Sequence, residues 1–433
     1  MSTTAGPEPA AAPEPARPGA PLESPSLLRV VQGGARRRLA PVRRLRRALA
    51  EVPTRAALVT VVGALCGVGL VMVLSASAYT SLQYYGSVWT IFERQVLWMA
   101  LGAIAFAVTA RVGYDRWRRF RILLPLGTLA LLVLVLVPGI GVVAGGSSRW
   151  IGLGLLRIQP SELMKLALSV FAADLLARRA DRLHRLGAAV VPLLVLLAVS
   201  GLLVLKQPDM GTALVLAFLT FTLLYAGGVP LRPVVKALGA TGLVGLVVGL
   251  AEPYRRQRLL SFLDPFAHAK GSGYQVVQSL VGLGSGHLYG LGLGDGREKW
   301  GLLPNAHTDF IFSVIGEECG LIGTLVVLGL FAALAWYGLR AARRAPDRFG
   351  GLLAVAATCW ITTQAVINIG AVIGVLPVTG IPLPFVSFGG SSLVITLVAA
   401  GILVNVAAHE TLPARRRPTR PLSALDPSRP TRG

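Results

Sequence analysis

Residues 56–76 read AALVTVVGALCGVGLVMVLSA, a run without one charged side chain. A helix needs about 20 such residues, rising about 1.5 Å each, to cross a hydrocarbon layer roughly 30 Å thick. Similar runs recur outward from this one, at roughly 94–111, 121–138, 161–178, 186–205, 211–229, 234–251, 309–336, 350–376 and 389–408. The whole 433-residue chain is 54% hydrophobic and only 14% charged, with a mean hydropathy of +0.65. A soluble domain carries about 25% charged residues, so this chain cannot clothe a globule. The expected fold is an all-α polytopic membrane protein of about ten transmembrane helices, with a large folded extracellular loop between helices 7 and 8.

The net charge of +22 would suggest nucleic acid in a soluble protein. Here the arginines sit in short clusters between apolar runs, which reads as topology charge and leaves no nucleic-acid partner to expect. With the N-terminus inside, the inner loops carry Arg111, Arg116, Arg118, Arg119 and Arg121, then Arg178, Arg179, Arg182 and Arg185, then Arg232 and Lys236, then Arg340, Arg343, Arg344 and Arg348. Ten spans with both ends cytoplasmic satisfy the positive-inside rule. Residues 1–55 form a disordered, Arg-rich cytoplasmic tail, 56–408 the membrane domain, and 409–433 a basic cytoplasmic tail. No signal-peptide pattern precedes the first span. The tails suit contact with anionic membrane lipids. Cys66, Cys319 and Cys359 lie in apolar runs and show neither disulfide nor metal spacing.

Two outer segments break the charge rule. Residues 139–160 hold Arg149 and Arg157; residues 252–308 hold Arg255, Arg256, Arg258, Lys270, Arg297 and Lys299 beside Glu252, Asp264, Asp295 and Glu298. Connections longer than about 15 residues are uncommon unless functional or disordered, and the varied composition of 252–308 points to a folded loop. Its cations can receive an anionic headgroup such as a pyrophosphate. Equally, they can contact lipid phosphates or pair with neighbouring acids.

Ionisable groups inside spans are costly and mark cavities or partners. Glu162 and Lys165, three apart on the fourth span with Asp174 beyond them, share a face and can pair. Lys206, Gln207, Pro208 and Asp209 crowd one short turn, where Asp209 is placed to cap the helix opening at Gly211-Thr212. Asp309 heads the eighth span in His307-Thr308-Asp309-Phe310-Ile311-Phe312, with Glu317 and Glu318 roughly 12–13 Å deeper at helical rise. Asp309 is either an N-cap or a general base at the edge of a low-dielectric site. The run Gly290-Leu-Gly-Leu-Gly-Asp-Gly lacks the strand and helix of a nucleotide loop and reads as a tightly turning segment.

Several stretches together carry a family resemblance. They are Ser148-Arg149-Trp150-Ile151, Gln159-Pro160-Ser161-Glu162-Leu163-Met164-Lys165, Gln207-Pro208-Asp209-Met210-Gly211-Thr212 and Arg258 to Pro265. Further on come Gly273-Tyr274-Gln275 with Gln278-Ser279, Leu303-Pro304 through His307-Thr308-Asp309, and Gly316-Glu317-Glu318. The last is Pro382-Leu383-Pro384-Phe385-Val386-Ser387-Phe388-Gly389-Gly390-Ser391-Ser392. In this order, across about 56–408, the chain resembles the SEDS family (shape, elongation, division and sporulation). Gly290–Gly294 and Glu298–Pro304 look more like its division branch, FtsW, than its elongation branch, RodA.

The resemblance implies a peptidoglycan glycosyltransferase that polymerises lipid II on the outer face of the bacterial plasma membrane, at the division septum. A class B penicillin-binding protein and other divisome proteins are its implied partners. By similarity Asp309 takes the proton from the acceptor 4-hydroxyl, the linkage inverts from α to β, and undecaprenyl pyrophosphate leaves. Arg149, Glu162, Lys165, Lys206, Gln207, Asp209, Arg258, Gln275, Gln278, His307, Thr308, Ser387 and Ser391 are the substrate-binding candidates. Fixed cations such as Arg149 and Lys165 would stabilise the departing pyrophosphate. No cofactor is certain; a divalent cation, Mg or Mn, would be compatible, although no ligand set is legible. Two other readings keep their place: a lipid II flippase, whose headgroup path Glu162, Lys165, Glu317 and Glu318 would line, and a scaffold whose arginine-rich arms dock cytosolic partners.

Overall fold

The structure, a computed structural model, describes residues 52–144, 147–153, 156–183, 186–251, 256 and 262–410. Most of both expected tails therefore lies outside the described residues, and so does Arg258. Helices occupy each of the ten apolar stretches: α1 (Thr54–Tyr85), α2 (Thr90–Arg111), α3 (Leu123–Leu134), α4 (Pro160–Arg178), α5 (Leu186–Lys206), α6 (Met210–Ala226) and α7 (Leu231–Ala251), then α9 (Ile311–Arg344), α10 (Arg348–Val372) and α11 (Ser391–Ala408). Between α7 and α9 the long loop carries a further helix, α8 (Tyr274–Ser285). Five of these, α1, α2, α9, α10 and α11, are long and apolar enough to cross a membrane by length and composition. The chain is an all-α polytopic membrane protein.

Burial sorts the helices. Of its apolar window α11 has 83% inside the protein and α10 72%, against 22% for α2 and 28% for α9. Of these five long helices the C-terminal pair is thus the most enclosed, and α2 and α9 turn most of their apolar windows outward. The apolar stripe on α9 that includes Leu321, Leu325 and Val326 is exposed, as expected for side chains whose solvent is lipid rather than water.

At one end of the bundle the basic loops do more than carry charge. Arg118 pairs with Asp347, and the Tyr114 hydroxyl donates to the same carboxylate at 2.8 Å. Asp174 takes Arg121 at 3.3 Å and Arg178 at 2.9 Å. Asn405 accepts from the Tyr114 amide and donates to the Ala110 carbonyl, both at 2.9 Å. These bonds fasten α2, α4, α10 and α11 to one another where each leaves the bundle.

The opposite end departs from the sequence expectation in three ways. First, residues 141–158, expected only as a charged loop, form an antiparallel sheet of order β1-β2-β3, β1 being Gly141–Ala144, β2 Ser147–Leu153 and β3 Leu156–Ile158. Val142 pairs with Trp150 and Val143 with Ser148, so Arg149 is the extra residue of a bulge; such bulges re-aim a side chain. Second, α3 stops at Leu134, short of the expected 138.

Third, the eighth span is interrupted. Gly320 adopts φ 66°, ψ −163° in the middle of α9, a conformation natural only to glycine. The glycine-rich loop fills the break: Leu291 and Gly292 donate their amides to the carbonyls of Glu317 and Glu318, at 2.9 and 3.1 Å. The amides of Leu321 and Ile322 go to His287 and Leu288, at 3.0 and 3.3 Å. Backbone groups that a kink would orphan in an apolar setting are thereby satisfied. Gly290, Gly292 and Gly294 all have positive φ, as the tight turning of that run requires.

Candidate functional site

The site is assembled around residues 377–391, the connection between α10 and α11. This segment is tied to four helices. On α1, a Cβ at Gly69 would stand 2.4 Å from the Phe385 carbonyl oxygen, so only glycine lets helix and segment approach this closely. On α2, Gln95 donates to the Ser387 carbonyl at 3.4 Å. On α10, Gln364 and Asn368 lie one turn apart and donate to the carbonyls of Pro382 and Ile381, at 2.9 and 2.8 Å.

The fourth helix, α4, is tied to the segment indirectly, by a buried ion pair that bonds Gln364 of α10 and Ser392 of α11. The pair expected from the Glu162–Lys165 spacing is formed at 2.7 Å, with both residues 1% exposed. Lys165 also donates to Gln364 Oε1 at 2.7 Å and lies 5.1 Å from the Trp360 ring centre. The second oxygen of Glu162 accepts from Ser392 at 2.9 Å. Every strong donor or acceptor of the pair thus meets a partner, which is the condition for burying charge without prohibitive cost.

Asp209, buried, performs the expected cap by accepting from the Thr212 amide at 3.0 Å. Its other oxygen accepts from Gln159 at 3.1 Å. The Gln159 amide donates to Ser391 Oγ at 3.1 Å. Arg149, thrown sideways by the bulge, donates to the carbonyls of Gln207 and Pro208 at 2.9 and 2.5 Å. The sheet, the α5–α6 turn, the start of α4 and the start of α11 are therefore one hydrogen-bonded unit.

Asp309 stands at the rim of this unit, half-buried. Helix α9 begins at Ile311 with Phe310 in the N-cap position, so Asp309 precedes the cap and belongs to the tight turn 305–310. That turn is closed by the amides of Thr308 and Phe310, which both donate to the Asn305 carbonyl, at 3.1 and 3.3 Å. Ser387 donates to the Thr308 carbonyl at 2.6 Å, and the Phe388 amide to the His307 carbonyl at 3.0 Å. Asn368 donates to the Asp309 carbonyl itself at 2.8 Å. Burial lowers the His307 imidazole to about 4, so it is neutral at physiological pH.

Of the sequence candidates, Arg149, Glu162, Lys165, Gln207, Asp209, His307, Thr308, Asp309, Ser387 and Ser391 are drawn together by these bonds. Lys206 is exposed, and Gln275 and Gln278 are half-buried on α8. Sequence reasoning passed over Gln364 and Asn368. The available signal was two carboxamides one turn apart on an otherwise apolar span.

A second buried cluster anchors the long loop. Lys299 pairs with Glu318 at 2.7 Å and donates to Ser75 and to the Gly294 carbonyl, at 2.9 and 2.6 Å. Glu317 accepts from the Arg297 amide at 2.6 Å. Burial, and then the charge of Glu317, push the carboxyl of Glu298 up to about 7. A cavity of about 470 Å³ lies beside this cluster, lined by Val71, Tyr79, Leu82, Trp89, Leu293 and Trp300 among others; Asp309 and 377–391 are not in its wall. Among the described residues no group of three or more His, Cys, Asp or Glu could hold a metal ion.

Fold and site together define a polytopic helical membrane protein with a polar site built on interhelical loops at one end. A family model described as a cell cycle protein, of the FtsW, RodA and SpoVE type, matches residues 56–412, and the chain belongs to that family. The stage V sporulation protein E of Bacillus subtilis is 42% identical over 344 residues, which is 79% of this chain and 93% of that protein. A protein of Trichlorobacter lovleyi described as a probable peptidoglycan glycosyltransferase FtsW is 42% identical over 353 residues, 81% of this chain and 92% of the relative. Among solved structures, one described as the structural coordination of polymerization and crosslinking by a peptidoglycan synthase complex matches with a TM-score of 0.67. It is 30% identical and covers 82% of this chain and 97% of that one.

Proposed function

We propose that this chain is a peptidoglycan glycosyltransferase that polymerises lipid II, with Asp309 as the general base. The observation that carries the reading is the mounting of Asp309: the residue is half-buried while its backbone is held by Asn368 and, at the two preceding residues, by Ser387 and Phe388. A base held in a low-dielectric rim by preformed hydrogen bonds costs no reorganisation at the moment of reaction. The acceptor 4-hydroxyl gives its proton to an Asp309 carboxylate oxygen. The resulting oxygen nucleophile attacks the donor anomeric carbon, the bond from that carbon to the pyrophosphate oxygen breaks, and undecaprenyl pyrophosphate departs with the electron pair. Attack opposite the leaving group inverts α to β.

The buried Glu162–Lys165 pair and Asp209 support the loops rather than supply loose charge. Exposed cations at the same end, Lys206 and Lys270 among them, are better placed to meet a pyrophosphate. Ten crossings put both termini in the cytoplasm and the Asp309 end outside the plasma membrane, at the division septum. There a class B penicillin-binding protein cross-links the product, as the solved complex that couples polymerization to crosslinking suggests. Purified protein with such a partner is expected to convert labelled lipid II to glycan chains, and Asp309→Asn to make none. Polymer at the wild-type level from Asp309→Asn would remove Asp309 from the mechanism.

A further inference from the structure

We infer that Asn368 is the positioning residue that sets the height and orientation of Asp309, an inference resting on the reading of Asp309 as the base. Asn368 lies on α10, 2% exposed, facing the junction of two separate backbones. Its Nδ2 donates to the Asp309 carbonyl and to the Ile381 carbonyl, both at 2.8 Å. One amide nitrogen has two hydrogens, and here both are committed. Its Oδ1 meets no donor among the described residues. The orientation of the amide is thereby decided: turned over, its oxygen would face two carbonyl oxygens and neither bond could form.

The geometry separates Asn368 from the other polar residues of α10. Gln364, one turn earlier, holds the Pro382 carbonyl and the Lys165 ammonium, so it locks the 377–391 segment to α4. Asn368 instead reaches the backbone of Asp309 itself. Its side chain is a clip between the turn 305–310 and the segment 379–383, mounted on one of the two most buried of the five long apolar helices. Gly380, beside the clip, lies close enough that an added Cβ would stand 3.7 Å from the Asp309 carboxylate. The wall against which that carboxylate sits is therefore fixed by the same amide that fixes its own main chain.

Chemistry follows from the placement. A base must stand within hydrogen-bond reach of the proton it takes, and a displacement of about 1 Å costs about a hundredfold in rate. Asn368 touches no reacting atom, so its loss should act on turnover and spare substrate binding. Asn368→Asp keeps the shape but presents carboxylate oxygen to both carbonyls, and Asn368→Ala removes the clip outright.

The test measures kcat and KM for lipid II in wild type, Asp309→Asn, Asn368→Ala and Asn368→Asp, with hydrogen–deuterium exchange on the same proteins. Expected is a fall in kcat of about ten- to a hundredfold in both Asn368 variants with KM within about threefold. Faster exchange should be confined to peptides covering 303–312 and 378–386. Wild-type kcat in Asn368→Ala, with Asp309→Asn inactive, would overturn the inference and leave the base in place. A KM rise that accounts for the whole loss, or exchange that accelerates equally through α1, would also overturn it. Should Asp309→Asn be fully active, the reading of the base falls. Exchange then decides the positioning alone: loosening at both backbones supports the clip, and its absence refutes it.

Discussion

Replacing Lys165 with methionine isolates the structural weight of the site. The ammonium is 1% exposed and holds three things: Glu162 Oε1 at 2.7 Å, Gln364 Oε1 at 2.7 Å and the Trp360 ring face. Methionine fills much of the same volume but leaves the Glu162 carboxylate with Ser392 as its remaining side-chain donor. Removing one partner of a buried pair costs about 3–5 kcal/mol, because the surviving charge is uncompensated. At about 1.4 kcal/mol per tenfold that is roughly a hundredfold to several thousandfold in the folding equilibrium. The double variant Glu162→Gln with Lys165→Met removes the orphaned charge and should recover about 0.5–3 kcal/mol of the loss, the range over which contacting residues couple. Unfolding titrations with SDS in mixed micelles on wild type, both single variants and the double give the complete cycle. Wild-type stability in Lys165→Met, or a double variant no better than the single, would refute the structural role. A raised KM for lipid II at unchanged stability would instead assign Lys165 to the substrate.

Gly320→Ala puts a Cβ 2.4 Å from the Gly290 amide nitrogen at φ 66°, a strained conformation for alanine costing about 1–3 kcal/mol; proteolysis within 286–300 should accelerate, and unchanged cleavage would show that the loop does not depend on the break. The two shifted groups near the loop make stability pH-dependent in opposite senses. Glu298 has its folded pKa raised to about 7 from 4.5, so its contribution is complete below pH 4.5 and is lost as pH rises through 7; Glu298→Gln should flatten the fall in melting temperature between pH 5 and 8. His307 is lowered to about 4 from 6.5, so its contribution is present above pH 6.5 and erodes as pH falls toward 4, which a melting series on His307→Gln should show by its absence.

What was legible in the sequence follows from local physics. An apolar run of spanning length declares a helix wherever it occurs, because only internally bonded backbone survives in hydrocarbon; hence all ten runs became helices. The Glu162–Lys165 pair and the Asp209 cap were legible for the same reason, since partners three residues apart are set by helical geometry alone. The glycine run was legible as a turning segment but not as the plug of α9. Its bonds go to Glu317, Glu318, Leu321 and Ile322, some 25–35 residues away, and no local pattern encodes a register at that separation.

Only the tertiary structure could decide whether Asp309 caps α9. On the sequence it was equally a cap or a base, because one acid before an apolar helix is compatible with both. The fold places it before the cap, in a turn whose carbonyls are held by Asn368 from α10 and Ser387 from the segment before α11. Those holders lie 59 and 79 residues further along the chain. The sequence by itself determined that helices would span and where charge would gather. The meeting of α4, α10 and the 377–391 segment around Asp309 was left to packing, because hydrogen bonds between distant backbones exist only after the helices that carry them have docked.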